Sequence, residues 1–260
     1  MIKIHPTNSE TLNRDGSLQN TNTCITLNKN PTPSWCGLVT PQGHETVYLS
    51  ESQTTSLGVE LSDIKYLEFG AENGREVNTR IFREFGAKGV LFDRDYENPE
   101  IGLYKYTITP SNIVQLIKNH ELKNIDLLSI DIDYNDYWIL KRIIESEVLS
   151  ELKVIVLEYN SHLNPMDTLS VPYNNDVGWD GKSSYFGASL SAFVNLLSPN
   201  FKLVHCEQNG VNAFFVKSEM IEEEYKVEDV YRKPNFYNKR WKYPEREGEN
   251  IYMDTMTDIN

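Results

Sequence analysis

From Ile64 onward, short apolar runs alternate with stretches whose apolar residues recur at helical spacing. That alternation is the mark of a parallel sheet flanked by helices. The runs predict strands at 65–70, 89–92, 104–108, 126–132, 153–159, 202–206 and 213–217, and helices at 76–85, 111–119, 137–146 and 188–197. Only Gln208-Asn209-Gly210-Val211 separates the last two strands, which is too short for a crossover and predicts an antiparallel hairpin. The expected fold class is therefore α/β, a mostly parallel seven-stranded sheet with helices on both faces and a C-terminal antiparallel hairpin. Residues 1–60 differ, being rich in Thr, Asn, Ser and Pro with turn signals near Pro31 and Pro41. They read as an irregular or short-helical extension covering a cleft, ahead of a main domain at 61–220 and a tail at 221–260 that is first acidic, then basic and aromatic.

Within this pattern the run Ile125 to Asp136, IDLLSIDIDYND, stands out. Its first half is nearly continuous apolar sequence, as in strands buried on both faces of a sheet. Asp131, Asp133 and Asp136 then arrive where the strand emerges. Like charges ~4 Å apart repel by roughly 4 kcal/mol at an effective dielectric near 20, so a cation, donor hydrogen bonds or a raised pKa must compensate. The plainer alternative has Asn135 or Asp136 capping the helix that follows, with the other acids solvated.

Charge and composition narrow the partners. A net charge of -13 repels polyphosphate and argues against nucleic acid as the main ligand. No apolar run approaches the ~18 residues of a membrane span, so no membrane insertion is expected. The beginning of the chain lacks a signal-peptide pattern, and Cys24, Cys36 and Cys206 are unevenly spaced, which together predict a reducing, cytoplasmic setting. From Tyr231 to Arg246 basic and aromatic residues interleave, fitting a site for a phosphorylated substrate, a cover for the cleft, or a tail packed on the acidic segment Glu222 to Asp229.

Chemistry gathers at the predicted strand ends. After the first strand comes Glu68-Phe69-Gly70-Ala71-Glu72-Asn73-Gly74, a glycine loop leading into a helix, where backbone amides favour an anionic group and glycine allows close approach. Glu68 suits an ammonium or sulfonium better than a diphosphate. The second strand ends in Asp93 and Asp95, about twenty residues on, where a ribose diol is held in dinucleotide sites. The fifth strand ends in Glu158-Tyr159-Asn160, and parallel neighbours release their ends at one edge, beside Asp131 and Asp133. His162 follows as the best-placed histidine for a general base, while His44 has less positional support and His205 reads as packing. The long connection 161–186 carries Trp179 and Tyr185, which either stack on an acceptor or anchor the loop.

The blocks YLEFGAENG, LLSIDIDYNDYW, IVLEYN, VPYNND, YFGASL and NGVNAFFV, from Tyr66 to Val216, resemble the Rossmann-fold methyltransferases related to the FkbM group. The resemblance implies a class I methyltransferase fold that binds S-adenosylmethionine through Glu68, Gly70, Ala71, Gly74, Asp93, Asp95 and Asp131. It also implies O-methyl transfer to a small hydroxylated acceptor such as a saccharide or surface-glycan precursor. Asp131 and His162 are the expected catalytic groups, and Tyr134, Trp179 and Tyr185 the acceptor contacts. The acids Asp131, Asp133 and Glu158 with Asn160 resemble in position the oxygen ligands of cation-dependent relatives, which implies Mg2+ or Mn2+; a metal-free site is the alternative. Glu72 and Tyr134 stand where relatives often have glycine. A catalytically inactive methyltransferase-like domain is therefore the second reading, and an NAD-dependent oxidoreductase, without a G-x-G-x-x-G loop, the third.

Overall fold

The computed structural model describes residues 61–75, 77–236, 242–248 and 250–257, together with the backbone of four short strands ahead of them. Those four, Ile2–Pro6, Thr23–Leu27, Trp35–Val39 and Glu45–Leu49, pair antiparallel in sequence order. The extension is thus not simply irregular or short-helical; β-branched and aromatic residues recur in segments such as TCITL and ETVYL, which favours strand. His44 lies outside the described residues.

The main sheet has seven strands: β1 (Lys65–Phe69), β2 (Lys88–Asp93), β3 (Leu103–Lys105), β4 (Leu127–Ile130), β5 (Val154–Glu158), β6 (Phe201–Cys206) and β7 (Asn212–Lys217). Their order is β6-β7-β5-β4-β1-β2-β3. Strands β1 to β5 pair in parallel, and β7 is antiparallel to both β5 and β6. This is the expected Rossmann-like sheet, with the hairpin tucked in so that β7 sits against β5.

Register sorts the side chains into two layers. Leu67, Phe69, Leu128, Ile130, Ile155, Leu157 and Phe215 pack with helices α2 (Ile113–Asn119), α3 (Asp136–Ser146) and α4 (Leu190–Leu197). Tyr66, Leu91, Leu127, Val156, Phe214 and Val216 pack on the other face with Ile81 and Phe82 of α1 (Arg80–Glu84). All of β4 is buried, as its nearly continuous apolar run requires. At roughly 1.5–3 kcal/mol per large apolar side chain removed from water, these two layers are the main force positioning the sheet edge.

The second layer turns polar toward the carboxyl edge. Glu68, Ser129, Val156 and Phe214 align in register across four strands, and Glu158 and Asn212 pair one step further along the same face. Helix α1 is shorter than the predicted 76–85 because Glu68 reaches out of this row and holds the loop before it: its carboxylate accepts from Asn78 N at 2.9 Å, Thr79 N at 3.1 Å and Thr79 Oγ1. Among the described residues no helix is long and apolar enough to cross a membrane.

The edge is also tightly drawn together. At Gly70, with φ +77°, a Cβ would lie 1.6 Å from the Asp131 carbonyl oxygen, so β1 and β4 leave the sheet in contact. Gly70→Ala is expected to cost more than about 3 kcal/mol in urea unfolding, since backbone must move. Gly86→Ala is the control, because there the φ is also positive but the nearest atom is 3.9 Å away, and only the conformational cost of about 1 kcal/mol remains. Equal losses at the two positions would contradict the close approach.

Candidate functional site

Strand order reverses between β1 and β4, and in open α/β sheets ligands bind at the carboxyl ends beside that switch. A cleft of about 690 Å³ lies there. Its walls come from Glu68 and Gly70, from Asp93 to Tyr96, from Tyr106 to Thr109, and from Asp131 to Asn135. Glu158, Asn175 to Trp179, Phe186, the hairpin turn at Glu207 and Asn209, Asn212, and Phe236 and Tyr243 of the tail complete it.

In the glycine loop, the amides are already in use. Gly70 N and Ala71 N donate to Phe92 O at 3.0 and 3.4 Å, Gly74 N to Ala71 O at 2.8 Å, and Glu72 N to Asp93 Oδ2 at 2.8 Å. The loop is therefore not the open anion cradle expected of it; its hydrogen bonds weld β1 to β2. Ala71 is fully buried in the α1 layer, and Gly74 is turned toward Ile101 rather than the cleft. Glu68 lines the cleft, yet its carboxylate is committed to the loop and also takes a 3.4 Å hydrogen bond from Ser129 Oγ. Burial raises its pKa, while the donors from Thr79, Asn78 and Ser129 oppose that. Asp93 organises the end of β2 by accepting from Asp95 N at 2.7 Å and Tyr96 N at 3.1 Å as well as from Glu72 N. Asp95 is exposed and paired with Arg94 at 3.0 Å.

Three of the predicted acids do converge. Asp131, Asp133 and Glu158 each offer an oxygen, and these lie within 4.8 Å of one another. Burial, then mutual repulsion, drives the Asp131 and Glu158 carboxyls well above the usual range; Asp133 is raised by burial and by Glu72. Glu158 Oε2 is buried with no hydrogen-bond partner. Asp136, wholly buried and pushed up to about 7, plays a different part: its Oδ1 accepts from Ile132 N at 2.8 Å and closes the loop that presents Asp131 and Asp133. Asp133 itself sits at φ +66°, in the left-handed region that Asp tolerates better than most residues. Asn135 exchanges hydrogen bonds with the backbone of Asn174, and Trp138 Nε1 donates to Val171 O at 2.9 Å, so the acidic loop is braced against the long connection.

Asn160 and His162 are placed elsewhere. Asn160 Nδ2 donates to Ser184 O and Phe186 O at 2.9 and 2.8 Å, and its Oδ1 accepts from His162 N at 3.0 Å. His162 Nδ1 lies 3.1 Å from that same oxygen, and Nε2 accepts from Tyr243 N at 3.0 Å. The ring is thus a neutral clasp for the tail, its pKa lowered to about 4 by burial and by Lys242, and neither residue lines the cleft. Among the described residues the tail packs on the connection after β5, where Tyr159 OH donates to Arg232 O, Tyr231 OH to Ser161 O, and Ser184 N to Pro244 O, while Arg232 Nη1 also donates to Asp229 O of the acidic segment at 3.3 Å.

Of the aromatic residues expected at the acceptor, Tyr134 and Trp179 line the cleft, whereas Tyr185 lies behind Tyr134, ring centroids 6.1 Å apart, with its hydroxyl donating to Ile251 O. Trp179 stands edge-on to Tyr243 at 4.7 Å and beside Phe186 at 5.3 Å. Phe236 and Tyr243 belong to the aromatic tail that the sequence offered as a cover for the cleft, while the hairpin residues Glu207 and Asn212 are additions that spacing along the chain did not single out. Among the described residues the cleft lining carries nine carboxyl groups, Glu68, Glu72, Asp93, Asp95, Asp131, Asp133, Glu158, Asp176 and Glu207, against one cation, Arg94. Such a surface favours cationic groups.

No protein-family model matches the chain, and no curated protein does. Among solved structures the chain is similar to M. capricolum TrmK in complex with the cofactor product S-adenosyl-homocysteine, at 9% identity over 69% of this chain and 74% of that one, with TM-score 0.36. It is similar to the N-terminal domain of EvdMO1 with SAH bound at 15% identity, 65% and 82% coverage, TM-score 0.35. Human N-acetylserotonin methyltransferase in complex with SAM gives 13% identity, 60% and 48% coverage, TM-score 0.34.

The strain at the acidic edge has a measurable sign. Carboxyls with raised folded-state pKa values hold protons that the unfolded chain releases, so their contribution to stability is complete below the ordinary value of 3.8 and is lost as pH rises through the folded value, about 7 for Asp136. Asp131→Asn removes one of these charges. It should stabilise the protein at pH 8 by about 1 kcal/mol or more in thermal unfolding, with the gain shrinking toward pH 5. A pH-independent difference would contradict the repulsion.

Proposed function

We propose that the protein is an S-adenosylmethionine-dependent methyltransferase that methylates a small hydroxylated acceptor, such as a saccharide or surface-glycan precursor. The observation that carries the reading is the acid-lined cleft at the switch between β1 and β4. A sulfonium and an ammonium are at home among its carboxylates. A dinucleotide diphosphate would face Glu68 and Glu72 with the loop amides already engaged, which disfavours the oxidoreductase reading.

S-adenosylmethionine supplies an electrophilic methyl carbon on its sulfonium. On this reading Asp93 and Asp95 hold the ribose hydroxyls; a carboxylate oxygen accepts more than one hydrogen bond, so Asp93 retains capacity beyond its backbone partners. Gly70 lines the cleft at the β1 end, and Phe92 and Tyr106 offer an apolar wall beside it. Trp179, Phe186, Phe236 and Tyr243 form the opposite wall, where an acceptor ring stacks and water is excluded. With an acceptor hydroxyl in place and no cation bound, Asp131 or Glu158, whose raised pKa makes them stronger bases than ordinary carboxylates, would take its proton. His162 is not needed as base, since both ring nitrogens are occupied. The same three acids, Asp131, Asp133 and Glu158, would hold Mg2+ or Mn2+, a hard cation suited to an all-oxygen donor set and able to lower the pKa of an acceptor hydroxyl when bound. The unpartnered Glu158 Oε2 supports that fit.

Calorimetric titration with S-adenosylhomocysteine, with EDTA and again with Mg2+, tests the reading. Saturable binding in the micromolar range, about -8 kcal/mol, is expected, with no heat from NADH. Asp95→Ala should weaken it about tenfold, by ~1.4 kcal/mol, through loss of a ribose contact. Absence of S-adenosylhomocysteine binding under both conditions would leave the inactive-domain reading in its place.

A further inference from the structure

The acidic cluster has a neighbour of a different kind. Asn212 begins β7 directly opposite Glu158 in the antiparallel β5/β7 register, so the two side chains leave the same face at the same edge. Only 7% of Asn212 is exposed, and it lines the cleft. Its Nδ2 donates to Asn78 Oδ1 at 3.4 Å, which leaves Oδ1 as the end of the amide with no hydrogen-bond partner. Two buried acceptors without donors, Asn212 Oδ1 and Glu158 Oε2, therefore stand on adjacent strands. Leaving such groups unsatisfied is costly.

We propose that Asn212 Oδ1 is the neutral fourth oxygen of a divalent-cation site formed with Asp131, Asp133 and Glu158. This rests on the cation reading above and replaces Asn160, whose oxygen is taken by His162 and whose amide holds two carbonyls. Three carboxylates already bring more negative charge than one divalent ion neutralises, so an amide carbonyl adds a ligand without adding repulsion. The amide is also oriented in advance. Glu68 holds Asn78 N and takes the Ser129 hydroxyl hydrogen bond; Ser129 Oγ accepts from Asn78 Nδ2 at 3.1 Å; Asn78 Oδ1 then fixes Asn212 Nδ2. Fixed partners behind a ligand are what a defined metal geometry requires.

Electron paramagnetic resonance of Mn2+ titrated into the full chain, without cofactor or acceptor, reads the site directly. The wild type should bind one tight Mn2+, Asp131→Asn should abolish it, and Asn212→Ala should weaken it by about tenfold or more. Asn212→Asp, close to isosteric, guards against a folding defect: it keeps an oxygen donor at this position and should retain Mn2+ binding where Asn212→Ala loses affinity. Wild-type binding with unchanged affinity in Asn212→Ala, or with as large a loss in Asn212→Asp as in Asn212→Ala, overturns the role of Asn212 and leaves the three acids as the site. No Mn2+ binding by the wild type overturns the cation reading itself, and Asn212 with it.

Discussion

Negative charge gathered at the end of a buried strand is the constraint on which the rest of this molecule turns. β4 is buried throughout because both faces are covered, and it delivers Asp131 and Asp133 to the point where β5 delivers Glu158. Carboxylates so close repel unless protonated or bridged, and much of the surrounding architecture holds them in place regardless. Asp136 clamps the Ile132 amide, Asn135 fastens the loop to Asn174, and Trp138 ties α3 to Val171. Gly70 lets β1 run against the Asp131 carbonyl, which fixes where the first acid starts. A protein that builds such bracing around mutual repulsion sacrifices stability there, and functional sites are where that sacrifice is found.

The far wall is made by a different device. The chain after β5 carries few regular elements, yet it is fastened by buried polar side chains: Asn160 holds two carbonyls of the connection, and His162 reads the Tyr243 amide. The short pairing of Leu169–Ser170 with Met253–Asp254, and Arg246 stacked 3.9 Å over the Tyr185 ring, complete the attachment. The aromatic side of the cleft is thereby assembled from a loop and a tail far apart in sequence, while the acidic side is set by the sheet. The scaffold fixes the chemistry, and the strapped segments shape what lies against it.

Much of this was legible in the sequence, and the reasons for the remainder are specific. All seven strands and the closing hairpin followed from apolar runs and connection lengths. Asp131, Asp133 and Glu158 followed from the rule that parallel strands end together. Helix α1 begins later than its periodicity suggests because Glu68, eleven residues before Thr79, captures the loop amides. Asn160 and His162 looked like site residues because they follow β5, but their side chains answer to Ser184, Phe186 and Tyr243, contacts that no local spacing encodes. Asn212 was within reach: an antiparallel hairpin with a short turn places a polar residue at the start of β7 beside the acid at the end of β5. The tail's Phe236 and Tyr243 were legible only as part of an aromatic segment fitted to cover the cleft, with no spacing to pick these two rings from their neighbours.

The central claim is that a sulfonium cofactor occupies the β1–β4 end of the acidic cleft with the acid cluster beside it. A crystal structure of the protein grown with S-adenosylhomocysteine and Mn2+, with anomalous data, tests it most directly. The account predicts cofactor density between Gly70, Asp95 and Asp131, and an anomalous peak among Asp131, Asp133, Glu158 and Asn212. A cofactor bound away from the carboxyl ends of β1 and β4, or a cleft empty at saturating S-adenosylhomocysteine, would contradict it.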